Sequence, residues 1–262
     1  MCTLAIFDTC SCPMNRKLAW VDPSDPLPDT AQALTVEEGA NGLLAAGADL
    51  SPERLIEAYS KGVFPWFSKG EPVLWWTPAP RMVLMLDEFK ISKSFRKEIR
   101  KACEDPTIEI VADKNFEATM HACATPRQGA TGTWISEPMI SAYASLHAQG
   151  LAHSIEVYQN GEPIGGLYCV SLGKMVFGES MFSRRPGASK LALATLVAWL
   201  KRQQGLVIDC QQRTPHLASL GGREIERPLF ESHVRKLSTQ SGLAWAHDPP
   251  SKRELHSFLT SQ

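Results

Sequence analysis

The segment Gly205-Leu206-Val207-Ile208-Asp209-Cys210-Gln211 begins as a continuous apolar run and ends abruptly in polar side chains. An apolar, β-branched run of this length is typical of a buried strand. Residues two apart on a strand point to the same face, so we expect the Asp209 carboxylate and the Gln211 amide to project together. Open α/β sheets bind ligands at such strand ends. The segment therefore predicts a site, although a strand end whose Asp caps the next helix has the same pattern.

A second carboxylate lies upstream, in the segment Gly178-Glu179-Ser180-Met181-Phe182-Ser183-Arg184. Glu179 is placed inside an apolar strand marked by a glycine, where an unpaired carboxylate is energetically costly. One interpretation is a structural ion pair, with Arg184 as the candidate partner. The other is a site that pairs the charge only when a substrate is present.

The overall composition is that of an ordinary soluble globular protein. Of the 262 residues, 44% are hydrophobic and 21% are charged, which fits one large domain or two unequal ones. The formal net charge is −1, so any nucleic-acid surface must be a local patch. The longest apolar stretch, residues 191–200, is far shorter than the ~20 residues of a membrane-spanning helix. We find no signal peptide and expect a cytoplasmic protein without membrane attachment.

The sequence contains seven cysteines, an odd number, and most of them lie in apolar surroundings. Reduced thiols in a cytosolic protein are therefore expected. The pairs in Cys10-Ser11-Cys12 and His121-Ala122-Cys123 each lack a second ligand pair at zinc spacing. We predict no metal and no cofactor.

The pattern of the chain changes at about Pro80. We predict a small N-terminal domain over residues 1–80, in which residues 1–13 are disordered or precede a true start at Met14. Residues 41–47 are expected to form a turn region. A short helix follows, begun by Ser51 and Pro52 and ended by Gly62.

Residues 81–262 follow a mixed α/β order. A strand near 83–86, a helix capped by Ser92, a strand over 108–111, a helix capped by Asp113 and a helix capped by Ser136 precede a three-stranded meander over residues 153–182. The meander contains Asn160-Gly161, a strong hairpin signal. Then come a long helix over 188–204, the strand at 206–211, short helices over 215–220 and 228–237, and a last strand near 243–246.

This order is that of the CoA-dependent N-acetyltransferases (the GNAT fold). The predicted fold class is α+β (mixed α/β), with a small N-terminal domain and an acetyltransferase-like domain that has a central, mostly antiparallel sheet. In that fold, backbone N–H groups of a loop before the central helix hold the CoA pyrophosphate. The corresponding loop is Arg184-Arg185-Pro186-Gly187-Ala188-Ser189, in which Pro186 removes one N–H donor. We interpret it as a weakened phosphate loop, so the fold is kept while the acyl donor has changed.

Several sequence blocks carry a family resemblance, because they occur together and in a fixed order. With them, the chain closely resembles the bacterial leucyl/phenylalanyl-tRNA–protein transferases from about residue 41 to residue 237. The blocks are Phe64-Pro65-Trp66-Phe67, Leu74-Trp75-Trp76-Thr77-Pro78, Gly132-Thr133-Trp134-Ile135, His153-Ser154-Ile155-Glu156-Val157, residues 178–184, residues 208–211 and His216-Leu217-Ala218-Ser219-Leu220-Gly221.

The resemblance implies an aminoacyltransferase that moves Leu or Phe from aminoacyl-tRNA to the α-amine of proteins beginning with Arg or Lys. The N-end rule then marks these proteins for degradation. The family resemblance also implies that Asp209 and Gln211 are catalytic, with Gln211 acting as a proton relay or as an oxyanion donor. A neutral amide is a very poor base, so we favour the oxyanion role, with Asp209 orienting the amide. Glu179 is implied to receive the cationic acceptor.

Two tryptophans flank short turn segments, and the resemblance places the 3′-terminal adenosine of the tRNA on them: Trp66 and Trp134. An aromatic core at a domain junction is the alternative for each, and Trp75 and Trp76 are expected to be core. The implied aminoacyl pocket consists of apolar residues that are equally ordinary as core: Leu167, Val176, Leu196, Leu200 and Ile208. Its preference for Leu or Phe stays open.

Five cations repeat at three- and four-residue spacing on one predicted helix, opposite Phe95 and Ile99: Lys93, Arg96, Lys97, Arg100 and Lys101. Such a run usually marks a solvated helix face. Here the local excess is large for a nearly neutral chain, and the resemblance implies contact with the tRNA body. Contacts of this kind are made to phosphates, so they are blind to base sequence and sensitive to salt.

Two other functions remain open from the sequence. The first is a CoA-dependent N-acetyltransferase that uses the loop over residues 184–189. The second is a catalytically silent RNA-binding module of the same fold. Binding of acetyl-CoA without RNA binding would favour the acetyltransferase. Binding of tRNA without any amino-acid transfer would favour the silent RNA-binding module.

Overall fold

The computed structural model describes residues 17–125 and 133–260. Our predictions for residues 1–13, Met14, the Cys10–Cys12 pair and Gly132 lie outside these ranges. The helices are α1 (Pro52–Ser60), α2 (Lys93–Glu104), α3 (Phe116–Ala124), α4 (Glu137–Ala148), α5 (Ala188–Arg202), α6 (Pro215–Ser219), α7 (Arg227–Ser238) and α8 (Ser257–Thr260). Within the described part of the chain, no helix has the length and apolar character to span a bilayer.

The strands form two sheets, one of four strands in the order β1-β2-β4-β3 and one of seven in the order β11-β5-β10-β9-β8-β7-β6. The strands are β1 (Ala19–Val21), β2 (Leu43–Gly47), β3 (Phe64–Pro65), β4 (Val73–Trp76), β5 (Arg81–Met85), β6 (Ile108–Ala112), β7 (Ala152–Gln159), β8 (Glu162–Leu172), β9 (Met175–Ser183), β10 (Val207–Asp209) and β11 (Arg223–Ile225). All neighbours in the seven-stranded sheet are antiparallel except β9 and β10. The predicted α+β class and mostly antiparallel sheet are confirmed.

The local signals of the meander act as the sequence predicts. Asn160 and Gly161 both have positive φ, 51° and 81°, which is the conformation of the tight hairpin turn that matches the twist of β7 and β8. Ser92 caps α2 by accepting a hydrogen bond from Phe95 N, and Ser51 caps α1 through Arg54 N. These elements form where local chemistry and apolar pattern agree.

Helix α5 packs against the seven-stranded sheet and is buried on nearly all sides from Ala188 to Leu200. A helix that is apolar all round needs cover on its second face as well. The C-terminal segment provides it, since Trp199 Nε1 donates to Asp248 O at 2.7 Å and Trp245 packs against the Trp199 ring.

Four local predictions are wrong. Asp113 does not cap α3: Asn115 does, while Asp113 has a left-handed backbone (φ 56°) and accepts a hydrogen bond from Ser154 N. Residues 43–47 form strand β2 because their backbone pairs with β1 and β4. Residues 243–246 form no strand, and strand β11 was missed. In each case a tertiary contact outweighs the local pattern.

One apolar core joins the two parts of the chain. It includes Leu55 and Tyr59 of α1, Tyr143 of α4 and Phe177 of β9. The four-stranded sheet lies wholly before Pro80, and the division into two domains there stays a prediction.

Candidate active site

An open cavity of about 420 Å³ lies where β9 and β10 part. The two strands pair only at Ile208 with Val176 and at Asp209 with Phe177, after which β10 ends while β9 continues beside β8. The wall includes seven of the predicted site residues: Trp66, Trp134, Leu167, Glu179, Leu196, Ile208 and Gln211. The structure therefore brings residues from distant parts of the sequence to one sheet edge.

The other predicted residues lie elsewhere. Val176 and Leu200 are buried in the core and do not belong to the cavity wall, and their place in the aminoacyl pocket stays a prediction. Val176 precedes the point where the strands part, and Leu200 lies one helical turn beyond Leu196. Asp209 is fully buried and absent from the wall.

Asp209 forms a buried ion pair with Arg81, the first residue of β5. Arg81 Nε donates to Oδ1 at 2.8 Å and Arg81 Nη2 to Oδ2 at 2.6 Å, and both side chains are at most 1% exposed. The guanidinium also lies over the rings of Phe64 and Phe230, at 4.9 and 4.4 Å from their centroids. Such a bidentate pair fixes both groups in place. Sequence reasoning missed Arg81 because it stands at an apparent domain boundary, before an apolar strand.

Gln211 has a left-handed backbone, with φ 54°. Strand β10 has already ended at Asp209, so the two-residue alternation that predicted a shared face does not extend to Gln211. The Asp209 carboxylate instead accepts a hydrogen bond from the backbone N–H of Gln211 at 3.0 Å. Our expectation of a direct contact between Asp209 and the side-chain amide is corrected: Asp209 contacts the main chain of Gln211.

The Gln211 amide has a free donor. Its Nε2 is buried and has no hydrogen-bond partner among the described residues, although the residue belongs to the cavity wall. Buried donors without partners are rare in folded proteins. An oxygen atom of a ligand in the cavity is the natural partner for this N–H.

Glu179 is the extra residue of a β-bulge. Tyr168 pairs with Ser180 and Cys169 with Gly178, so Glu179 has no partner on β8. Bulges re-aim side chains and are frequent beside active sites. The Tyr59 hydroxyl lies 2.7 Å from Glu179 Oε1 and the Tyr143 hydroxyl 3.2 Å from Oε2, and the two hydroxyls contact each other.

Burial raises the pKa of Glu179 to about 7, and the nearby Asp209 charge adds to the increase, while hydrogen bonds from Tyr59 and Tyr143 oppose it. The suggested structural pair with Arg184 is wrong. Arg184 Nη1 donates to Pro163 O at 3.0 Å, and no ion pair of Glu179 occurs within the described ranges. The carboxyl group is thus held by hydroxyls alone at the cavity wall.

Two tryptophans offer partly exposed rings to the cavity, Trp66 and Trp134. Trp66 packs edge-on against Trp76, with 5.4 Å between ring centroids, and accepts a hydrogen bond at its carbonyl from Trp76 Nε1 at 2.7 Å. Trp75 and Trp76 are 1% and 5% exposed, so their prediction as core residues is confirmed.

Helix α2 buries Phe95, Ile99 and Ala102, and its cations lie on the other side. Lys93, Lys97, Arg100 and Lys101 are exposed, whereas Arg96 is partly buried and bonds Phe258 O. The helix lies near the start of α5, where Lys190 contacts Glu98 Oε2 at 3.8 Å. The four exposed cations therefore form one face of the helix, and none of the five belongs to the cavity wall.

The loop before α5 uses its N–H groups within the protein. Gly187 has φ 83° and begins the helix, Ala188 N donates to Arg185 O at 3.2 Å, and Ser189 N donates to Ser183 Oγ at 3.2 Å. A second cavity of about 480 Å³ lies beside this loop. Few N–H groups remain there for a pyrophosphate.

The described residues contain one set whose ligand atoms come close enough for a metal ion: Asp113, His147 and His153, within 4.8 Å of one another. Hydrogen bonds account for this set. His153 Nδ1 lies 2.8 Å from Asp113 Oδ2, His153 Nε2 3.0 Å from Gly150 O, and His147 Nδ1 2.8 Å from Ala152 O.

Comparison with known proteins identifies the relatives of this chain. The family model "Leucyl/phenylalanyl-tRNA protein transferase" matches residues 83–235, and the model of that family's N-terminal domain matches residues 48–79. The leucyl/phenylalanyl-tRNA–protein transferase of Paraburkholderia phymatum is 53% identical over 237 residues, which are 90% of this chain and 97% of that protein. The protein of the same name from Burkholderia vietnamiensis is 54% identical over 231 residues, 87% and 91% of the two chains.

A solved structure is also similar in part. The C-terminal domain of a putative lysylphosphatidylglycerol synthetase from Agrobacterium fabrum covers 86% of this chain and 68% of its own, at 14% identity and a TM-score of 0.35. A likeness at this level supports no inference about fold or function.

Proposed function

Because the chain belongs to the leucyl/phenylalanyl-tRNA protein transferase family, we propose that it moves Leu or Phe from aminoacyl-tRNA to the α-amine of proteins that begin with Arg or Lys. It is an aminoacyltransferase. We further propose that Leu and Phe are the amino acids transferred and that the acceptor begins with Arg or Lys. The protein would act in the cytoplasm, and the modified acceptor would be degraded.

One observation carries the assignment of the site: a single cavity combines an aromatic side, an apolar wall, a carboxyl group and an amide N–H without a partner. The terminal adenosine would stack on Trp66 and Trp134. The Leu or Phe side chain would lie against Leu167, Leu196 and Ile208. The acceptor would enter beside Glu179.

The chemistry needs little beyond position and electrostatic stabilisation. An aminoacyl ester is already activated, and an α-amine has a pKa of about 7.7–8.0, so an appreciable neutral fraction attacks at working pH. The attack turns the ester carbonyl into an oxyanion. Gln211 Nε2 would donate to that oxygen, a preorganised contact of the kind that lowers the barrier.

The buried ion pair of Arg81 and Asp209 would hold the Gln211 donor in position. Asp209 accepts from the Gln211 backbone N–H, and Met82 N donates to Gln211 O at 3.2 Å. Both contacts fix the unusual backbone of Gln211 and so aim its amide. Arg81 and Asp209 are accordingly positioning residues, since neither belongs to the cavity wall.

We also propose that α2 binds phosphates of the tRNA body through its exposed cations, Lys93, Lys97, Arg100 and Lys101, with the partly buried Arg96 beside them. The domain division at Pro80 is supported by the four-stranded sheet before it and by the separate family matches on either side. An acetyltransferase-like second domain is supported by the β7–β8–β9 meander, the central helix α5 and the parallel β9–β10 pair.

Two other functions are weaker. A CoA-dependent acetyltransferase would need N–H donors at the start of α5, and those of Ala188 and Ser189 are engaged. A silent RNA-binding module would not need an unpartnered donor beside a buried carboxyl group.

The deciding experiment is a transfer assay with radiolabelled Leu-tRNA and Phe-tRNA and with peptides that begin with Arg, Lys, Asp or Ala. We expect label on the Arg and Lys peptides alone. Binding of acetyl-CoA without tRNA binding would establish the acetyltransferase, and tRNA binding without transfer to any peptide would establish the silent module.

A further inference from the structure

Three oxygen-bearing side chains meet at the cavity wall, and each contacts both of the others. The Tyr59 hydroxyl reaches Glu179 Oε1, the Tyr143 hydroxyl reaches Oε2, and the two hydroxyls contact each other. Tyr59 comes from α1, Tyr143 from α4 and Glu179 from β9. Both tyrosines are 0% exposed, so the cluster must satisfy their hydroxyls internally.

The number of hydrogens available decides which charge state fits this cluster. Each hydrogen bond needs one hydrogen between its two oxygens, and a tyrosine hydroxyl supplies only one. With an ionised Glu179, two hydrogens serve three contacts, so one contact brings two lone pairs together. With a protonated Glu179, Tyr59 donates to Oε1, Oε2 donates to Tyr143 and Tyr143 donates to Tyr59. All three contacts then contain a hydrogen.

Within residues 17–125 and 133–260, Glu179 forms no ion pair that would replace this proton. The titratable groups around Glu179 are Tyr168 and Cys169 of β8, Asp209 of β10 and Arg81 of β5, besides the two tyrosines, and Cys210 and His216 also belong to the cavity wall. Arg81 already holds Asp209 through two hydrogen bonds. A carboxylate that is partly removed from water and has no cationic partner is costly, and this desolvation raises the Glu179 pKa to about 7.

We propose that Glu179 is a carboxylic acid in the substrate-free site, closed in a ring of hydrogen bonds with Tyr59 and Tyr143, and that it releases its proton to solvent when a cationic acceptor binds. The second half rests on the proposed function, which supplies the acceptor.

The tyrosine pair can also serve the ionised state, although the contact between its two hydroxyls then lacks a hydrogen. After ionisation, each hydroxyl turns to donate to one carboxylate oxygen, at the 2.7 and 3.2 Å separations already present. The ammonium of Lys or the guanidinium of Arg then replaces the lost proton as the positive partner. A neutral N-terminal side chain brings no such charge, so it leaves the acid protonated. The ring thereby makes acceptor choice depend on charge.

The sign of the pH dependence follows from this linkage. Acceptor binding lowers the Glu179 pKa from about 7, so proton release is largest below pH 7 and vanishes above it. About 0.9 proton is expected at pH 6, about 0.5 at pH 7 and about 0.1 at pH 8. Acceptor affinity rises by up to about tenfold per pH unit below 7 and levels off above it.

The first test is NMR titration of ¹³C-labelled Glu carboxyl groups in the substrate-free protein. We expect one midpoint near pH 7 that is absent from Glu179→Gln. Tyr59→Phe and Tyr143→Phe each open the ring: the protonated form loses two of its three hydrogen bonds, and the ionised form loses one together with its lone-pair contact. The midpoint should therefore fall in both variants, and a rise in both would overturn the ring, because the hydroxyls would then serve only as donors to the carboxylate. Tyr168→Phe is the matched control, because the buried Tyr168 hydroxyl has no hydrogen-bond partner in the part of the chain that the structure describes. The midpoint should stay in place in this variant. A wild-type midpoint near the ordinary Glu value of about 4.3 overturns the ring.

The second test is calorimetry with an Arg-initiated peptide in buffers of different ionisation enthalpy, with Glu179→Gln as the reference. Proton release that falls from pH 6 to pH 8 supports the switch. Equal release with an Ala-initiated peptide, or none with Arg, overturns it. The NMR midpoint needs no catalysis, so a failed transfer assay beside a midpoint near 7 would reject the proposed function and keep the protonated ring.

Discussion

Replacement of Asp209 by Asn tests whether the buried ion pair supports the site. Asn keeps the shape and an oxygen for the Gln211 N–H, but it leaves the Arg81 guanidinium buried without an anion. Removal of one partner of a buried pair costs about 3–5 kcal/mol, and the lost attraction alone is about 4 kcal/mol for charges ~4 Å apart at an effective dielectric of ~20. Because natural domains have only about 5–15 kcal/mol of stability, this loss should be readily measurable as a lower free energy of unfolding.

The assay is urea denaturation followed by tryptophan fluorescence, with the slope compared between variants. We expect Asp209→Asn to lose about 3–5 kcal/mol, and the double variant Arg81→Met/Asp209→Leu to recover most of it, because no unpaired charge remains. Asp87→Asn is the control, since its pair with Lys201 is exposed, with Asp87 at 88%, and we expect no measurable change there. A loss below about 1 kcal/mol for Asp209→Asn, the range of an exposed pair, would refute the argument.

Three further predictions concern the cavity and α2. Gln211→Met keeps the side-chain length but removes the N–H donor, so kcat should fall by about 10²–10³-fold with little change in KM. Single-turnover kinetics measure this change, and an unchanged kcat would remove Gln211 from the reaction. Trp66→Leu and Trp134→Leu should each weaken binding of a leucyl-adenosine analogue by about 1–3 kcal/mol in calorimetry, and full affinity would contradict the stacking role. Replacement of Lys93, Lys97, Arg100 and Lys101 by alanine should raise KM for tRNA. The slope of log affinity against log salt concentration should become shallower by about 0.9 per lost phosphate contact. A control that removes two cations elsewhere, with Ala at Arg235 and Lys236 of α7, should leave both quantities unchanged. About half of the α2 effect in this control would assign the result to net charge.

Much of the fold follows from local signals. Ser51, Ser92 and the Asn160-Gly161 turn act where side-chain chemistry alone determines the backbone, and each was predicted correctly. Strands β2 and β11 were not, because their strand state depends on pairing with distant partners. Residues 243–246 look like a strand but serve as cover for α5, a role that only the packed structure reveals.

The sequence indicates several residues that line the cavity, but it does not indicate how they are connected. Glu179 and Gln211 stand out as polar groups in apolar strands, yet the bulge at Glu179 and the left-handed backbone of Gln211 have no sequence signature here. Arg81, Tyr59 and Tyr143 were missed for a related reason. Each contacts its partner across at least 36 residues of sequence, so no local pattern links them.

A crystal structure with a non-hydrolysable amide analogue of leucyl-adenosine tests the central claim most directly. We expect the adenine between Trp66 and Trp134, the leucyl side chain against Leu167, Leu196 and Ile208, and the carbonyl oxygen within hydrogen-bond distance of Gln211 Nε2. An analogue bound outside this cavity, or one whose carbonyl oxygen points away from Gln211, would contradict the account.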